Sequence, residues 1–212
     1  MLKIKKFTVN PLQENSYVLS DETGNCVFVD PGFYFEEEYE EVRSYVAENR
    51  LTPVMIANTH CHFDHIFGVE ALRKEYNIPF LAHRDDEFWL EQAVEQGKMF
   101  GFDLNAVKTL DSFFNDGEFL KFGNSQLEII HIPGHSPGHV VFYSEADKIV
   151  IARDVLFYGS IGRTDLPRGN HELLISGIKS KLFSLPDDTK VFCGHGPETT
   201  LGFEKNNNPF LT

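Results

Sequence analysis

Residues 59–65 read THCHFDH and follow directly on the apolar run PVMIAN at 53–58. Three of the nine histidines of the chain, and an aspartate, fall within the six positions from His60 to His65. Packing gives no reason to crowd four such side chains together. Holding a divalent ion does, because imidazole nitrogens and carboxylate oxygens are the donors that zinc-like metals accept. In an extended segment His60, His62 and Asp64 share one side by period-two alternation, and His65 needs a turn to join them. A second arrangement places His60 and His62 on one ion and Asp64 and His65 on a neighbouring ion. Two ions need more donors than this stretch supplies.

Further donors lie at other strand ends. After the strand-like QLEIIHI (126–132) comes PGHSPGH (133–139); after KIVIA (148–152) comes Asp154 in RDVLF; after KVFC (190–193) comes His195 in GHGP. Loops at the ends of a rigid scaffold are where a metal site is assembled. His131, His135 and His139 compete within the second motif. Their four-residue spacing suggests a helix face, but Pro133, Gly134, Pro137 and Gly138 exclude a helix. His131 then sits in a strand and His139 opens the next one, which leaves His135 in the loop as the preferred ligand. Cys61 and Cys193 flank ligands, but alternation turns Cys61 away from His60 and His62. Both read as small buried hydrophobes.

The rest of the chain reads as alternating strands and helices. Strands are expected at 3–9, 16–20 and 26–30, separated by Asn10-Pro11 and Gly24-Asn25. Phe35, Tyr39, Val42, Tyr45 and Val46 recur at helical spacing behind acidic first turns. Further helices are expected at 67–76, 86–98 and about 170–183, and further strands at 53–58, 79–83, 118–122, 126–132, 139–145, 148–152 and 190–193, followed by a short tail. Strand runs at both ends with interspersed helices predict two sheets covered by helices, not a parallel doubly wound sheet.

Composition narrows the function classes. The 212 residues are 42% hydrophobic and 24% charged, with 20 Phe and 7 Tyr, as in a globular domain with an ample core. A formal net charge of −13 makes nucleic acid a poor partner, and an anionic substrate would need a local cation such as a metal or an arginine. Three cysteines argue against a disulfide framework. No apolar h-region follows the first lysines, and no run approaches 18 apolar residues, so a cytoplasmic protein without a membrane span is expected.

The ordered motifs VDPG (29–32), THCHFDH (59–65), PGHSPGH (133–139), RDVLF (153–157), GSIGRTDLP (159–167) and GHGPETTLGFEKNNNPF (194–210) resemble the metallo-β-lactamase-fold hydrolases, and most of all their small glyoxalase II-like (hydroxyacylglutathione hydrolase-type) members. The resemblance implies an α/β, four-layer αββα sandwich of two mixed β-sheets flanked by helices. It also implies a single domain over 1–212 without the helical extension that binds glutathione in typical glyoxalase II. It implies two divalent metal ions, zinc first, with iron or manganese as alternatives. His60, His62 and His135 would hold one ion, Asp64, His65 and His195 the other, and Asp154 would bridge them. Asp30 would orient the ligands from behind. Members of the family usually carry glycine before the bridging aspartate, where this chain has Arg153.

The function expected is hydrolysis of a small-molecule, hydroxyacyl-glutathione-like thioester. A water bridging the ions, its pKa lowered to about 7, would lose a proton and attack the carbonyl. The ions would stabilise the oxyanion, and Asp64 or Asp154 would orient the nucleophile or take its proton. Arg163, in GRTD, is a candidate for gripping a substrate carboxylate, with a loop salt bridge as its alternative role. Two rival readings are a persulfide dioxygenase with one iron on His60, His135 and Asp154, and a metal-binding protein without catalysis.

Overall fold

The computed structural model describes residues 1–212. The chain divides into two compact units, one of residues 1–114 with 121–125 and one of residues 115–120 with 126–212.

The first unit is built on a six-stranded mixed sheet. Its strands are β1 (Lys3–Val9), β2 (Glu14–Ser20), β3 (Asn25–Val29), β4 (Thr52–Ala57), β5 (Phe80–His83) and β6 (Ser112–Phe114), paired in that order. β1, β2 and β3 form an antiparallel meander, whereas β3, β4, β5 and β6 run parallel. Parallel neighbours need crossovers, and the helices supply them. Helix α1 (Glu36–Glu48) links β3 to β4, α2 (Val69–Tyr76) links β4 to β5, and α3 (Glu87–Met99) precedes β6. Three glutamates fill the first turn of α1, and Glu38 accepts the backbone N–H of Phe35 at 3.0 Å, closing the helix start. Asn77 ends α2 in the left-handed conformation that a short polar side chain tolerates. Val18, Leu19, Val27, Phe28, Val29, Val42, Ile56, Leu72 and Phe80 are fully buried around this sheet.

The second unit carries a mixed sheet of order β14-β13-β10-β9-β8-β7. Here β7 is Phe119–Phe122, β8 Ser125–His131, β9 Val140–Ser144, β10 Ile149–Arg153, β13 Lys190–Cys193 and β14 Thr199–Thr200. A two-stranded hairpin, β11 (Leu156–Phe157) with β12 (Ser160–Ile161), follows β10. Helices α4 (His171–Gly177) and α5 (Leu201–Asn207) complete it. Ile132, Val141, Val150, Ala152, Leu156, Leu174, Ile178, Val191 and Leu201 form one buried apolar cluster.

The strand and helix expectations meet the structure within a few residues, with informative exceptions. The helix expected over 170–183 is α4 continued by a π-helical segment, Ile178–Leu182. The expected tail contains β14 and α5. Gly202 and the asparagines of LGFEKNN are weak helix formers, so local propensity hides α5. Tertiary contacts create it: Thr200 caps Phe203 N–H at 3.2 Å, Leu201 joins the core, and buried Glu204 accepts from Thr199 Oγ1 at 2.6 Å and Asn208 Nδ2 at 2.7 Å. No helix is long and apolar enough to cross a membrane.

Candidate metal centre

In the first unit, β4 ends at Ala57, the chain bends at Thr59, and His62 is extended. A 3-10 turn, Phe63–His65, then brings His65 back beside His60, with ring centroids 4.0 Å apart; His60 and His62 are 4.7 Å apart. This is the turn that His65 required. It also takes Asp64 out of the extended run, so the simple alternation of His60, His62 and Asp64 does not hold. All four side chains are buried.

Burying four ionisable groups together is costly unless each is held, and the fold holds them from behind. Asp30, at the end of β3, is fully buried. Its carboxylate accepts Thr59 N–H at 2.6 Å and Thr59 Oγ1–H at 2.5 Å, and lies 3.2 Å from His65 Nδ1. Thr59 Oγ1 in turn lies 3.2 Å from His60 Nδ1. With the proton on Nδ1 in both rings, His60 and His65 turn Nε2 forward as a lone-pair donor, which is the orientation a metal ligand needs. Asn58 Nδ2 donates to the carbonyls of His60 at 3.2 Å and His65 at 2.9 Å, pinning both ends of the loop. Gly32 of VDPG fits under the loop because it lacks a side chain: a Cβ there would sit 2.3 Å from the Asp64 carbonyl.

In the second unit, His135, Asp154 and His195 come together from three strand ends. Asp154 Oδ2 lies 3.6 Å from His135 Nε2 and 3.7 Å from His195 Nε2, so one carboxylate oxygen faces two imidazoles. His135 Nδ1 is 2.9 Å from the Arg163 carbonyl, which places its proton there and leaves Nε2 toward Asp154. Gly194 gives Asp154 its space, since a Cβ at 194 would lie 1.8 Å from Asp154 Oδ1. His131 and His139 do not join this group. His131 Nε2 is 2.8 Å from the Pro137 carbonyl, and the buried His139 ring packs edge-to-face on His135 at 5.6 Å.

The spacing of these donors fits metal ions better than direct hydrogen bonds. His65 Nε2 to Asp64 Oδ2 is 3.6 Å, close to the two Asp154 distances. N–H···O bonds centre near 2.9–3.0 Å, whereas two ligand atoms each about 2.1 Å from one tetrahedral ion stand roughly 3.4 Å apart.

Arg153 stands at the place where the resemblance leads one to expect glycine. Its φ is +50°, in the left-handed region that glycine enters freely and other residues at a cost of roughly 1 kcal/mol. The β10–β13 register shifts between Ile151 and Arg153, so the ladder breaks just before Asp154 and releases it toward the site. The Arg153 side chain is fully buried. Arg163 makes a two-pronged ion pair with Asp165, Nε to Oδ1 at 2.7 Å and Nη2 to Oδ2 at 2.8 Å, which holds the Asp165 carboxyl down at about 2. The structure thus gives Arg163 the salt bridge, and its carbonyl the task of orienting His135.

None of the three cysteines is in a disulfide, and all are fully buried. Burial pushes Cys26 and Cys193 up to about 12 and raises Cys61 well above the ordinary thiol range. They are core side chains without thiolate character. At pH 8 the native protein should therefore give no fast reaction with a disulfide reagent such as dithionitrobenzoate, and three thiols should appear in denaturant. A rapid native burst would show an activated cysteine.

The residues behind the loop that sequence reasoning did not find are Asn58, Thr59, Asp86, Trp89 and Gln96. Asn58 and Thr59 adjoin the motif and carry the polar groups that a tight loop needs. Trp89 and Gln96 come from α3 and Asp86 immediately precedes it, and no local pattern marks them.

A family model described as the metallo-beta-lactamase superfamily matches residues 9–195. The chain belongs to the metallo-β-lactamase superfamily, and it has that fold: two mixed sheets flanked by helices. Fold and His/Asp clusters together define a metal-dependent hydrolase. The chain is 40% identical to a probable metallo-hydrolase, YqgX, of Bacillus subtilis over 99% of this chain and 98% of that one. It is 37% identical to the hydroxyacylglutathione hydrolase GloC of Haemophilus influenzae over 99% and 98%. Among solved structures, the B3 metallo-beta-lactamase BLEG-1 superposes with TM-score 0.91 at 38% identity, covering 99% of this chain and all of that one. TTHA1623 in a di-iron-bound form superposes with TM-score 0.87 at 37% identity, covering 98% and 100%.

Proposed function

We propose that this protein is a thioesterase that cleaves hydroxyacyl-glutathione-like thioesters at a two-ion centre in the cytoplasm. His60, His62 and His135 would hold one divalent ion, Asp64, His65 and His195 the second, and Asp154 would bridge them. The observation that carries the reading is the Asp154 carboxylate, whose Oδ2 stands almost equally far from His135 and His195. GloC, a hydroxyacylglutathione hydrolase, supports the substrate class. Imidazole and carboxylate donors admit zinc, iron or manganese, and the di-iron form of TTHA1623 keeps iron in play beside zinc.

When bound, such ions supply a water deprotonated near pH 7 and polarise the scissile carbonyl. The chain's own groups do the rest. Thr59 and Asp30 hold His60 and His65 with Nε2 forward, and the Arg163 carbonyl does the same for His135. Asp64 and Asp154, both buried and both carboxylates, orient the nucleophile and accept its proton. The thiolate of the substrate leaves as the acyl product forms. Arg163 keeps Nη1 outside its pair with Asp165, and that group would meet a substrate carboxylate.

The test is a comparison of substrates on one preparation. S-lactoylglutathione should be hydrolysed with kcat/KM of at least about 10⁴ M⁻¹s⁻¹, with no oxygen uptake on glutathione persulfide and no comparable turnover of a β-lactam. Oxygen consumption on the persulfide, or preference for the β-lactam, would replace this reading.

A further inference from the structure

One face of α3 meets the ligand loop at three consecutive points around His62. Asp86, at the helix start, accepts Cys61 N–H at 2.9 Å, and Gln96 accepts Phe63 N–H at 3.3 Å. Between them Trp89 packs edge-to-face on the His62 ring, with centroids 4.6 Å apart and planes at 75°. Positions 86, 89, 93 and 96 recur at helical spacing and share a face. The fourth, Ala93, is small and buried.

Trp89 is 1% exposed, yet its indole Nε1–H has no hydrogen-bond partner. A buried donor left unmade costs free energy, and a phenylalanine or leucine would fill a core position without that cost. The His60, His65 and His135 rings are oriented by polar contacts through Nδ1. The His62 ring is bracketed by aromatic surfaces, His60 at 4.7 Å and Trp89 at 4.6 Å.

We propose that Trp89 is a positioning residue for the metal centre. Its ring sets the rotamer of the His62 imidazole, while Asp86 and Gln96 fix the backbone on either side. This inference rests on the two-ion reading above. Because Trp89 is the only tryptophan of the chain, its fluorescence also reports occupancy at His62: an ion bound to the imidazole changes the charge and rigidity of the ring that the indole touches.

The experiment is a zinc titration of chelator-stripped protein, followed by competition with a chromogenic chelator on wild type and on the Trp89→Phe and Trp89→Ala variants, and by tryptophan emission on wild type, since the variants hold no tryptophan. Melting of each stripped protein is recorded alongside. Wild-type emission should change and saturate within the first two equivalents. Trp89→Ala should weaken one equivalent about 10- to 100-fold, the usual range for a residue supporting a ligand, and leave the other within about threefold. Trp89→Phe keeps an aromatic edge and should rescue the lost affinity to within about threefold of wild type. Unchanged emission at saturating zinc, two unaltered affinities in Trp89→Ala, or an equal fall in both equivalents that tracks the melting loss would each overturn the proposal. Wild type that binds no zinc would overturn the two-ion reading with it. Two tight wild-type sites that persist in Trp89→Ala would overturn this inference alone.

Discussion

Replacing Asp154 by asparagine is expected to lower kcat/KM on the thioester by about 10³-fold and to cut the metal content to one equivalent or less. The substitution keeps the side chain's shape but removes the negative charge from the oxygen that faces both His135 and His195. A neutral amide oxygen is a weak ligand, and it cannot offset the charge of two cations. If the amide flips, its NH₂ group points at the imidazoles and repels any ion. Steady-state kinetics with metal analysis on the same sample reads both effects. A variant that keeps two ions and most of its activity would remove Asp154 from the centre.

The second large effect is expected far from any substrate. Asp30→Asn should destabilise the protein by about 3 kcal/mol, because it weakens three hydrogen bonds to a buried charged acceptor. It should also weaken metal binding about 10- to 100-fold. The carboxylate accepts from Thr59 N, Thr59 Oγ1 and, across 3.2 Å, His65 Nδ1. Asparagine must present its NH₂ group to at least one of these donors. That loss propagates through Thr59 Oγ1 to His60, so two imidazoles lose their orientation at once. Urea unfolding and chelator competition measure the two consequences separately. Normal affinity in a destabilised Asp30→Asn protein would make Asp30 a fold residue only.

What the sequence makes legible follows from range. The strands of the first sheet are short β-branched or aromatic runs between Asn, Pro and Gly turns, and both signals are local. THCHFDH and PGHSPGH are legible because ligand-type residues at that density, next to helix-breaking Pro and Gly, leave few other readings. The 3-10 turn at Phe63–His65 is less visible, since nothing in FDH distinguishes it from continued strand; it shows in the structure through the folding-back of His65 onto His60. Helix α5 is hidden by Gly202 and two asparagines, and exists through Glu204 and Leu201. Asp86, Trp89 and Gln96 lie 21 to 31 residues beyond His65, and only the placement of α3 against that loop gives them a task.

Arg153 and Arg163 show where a resemblance is silent. At 153 the backbone keeps the left-handed turn that suits glycine, and the arginine side chain is carried into the interior. At 163 the guanidinium is already paired with Asp165, so a substrate carboxylate would have to share it.

The central claim is a two-ion centre, and metal analysis of protein purified without added metal tests it most directly. The account predicts two equivalents per chain, falling to at most one in Asp154→Asn. One equivalent of iron in the wild type, or no bound metal at all, would contradict it.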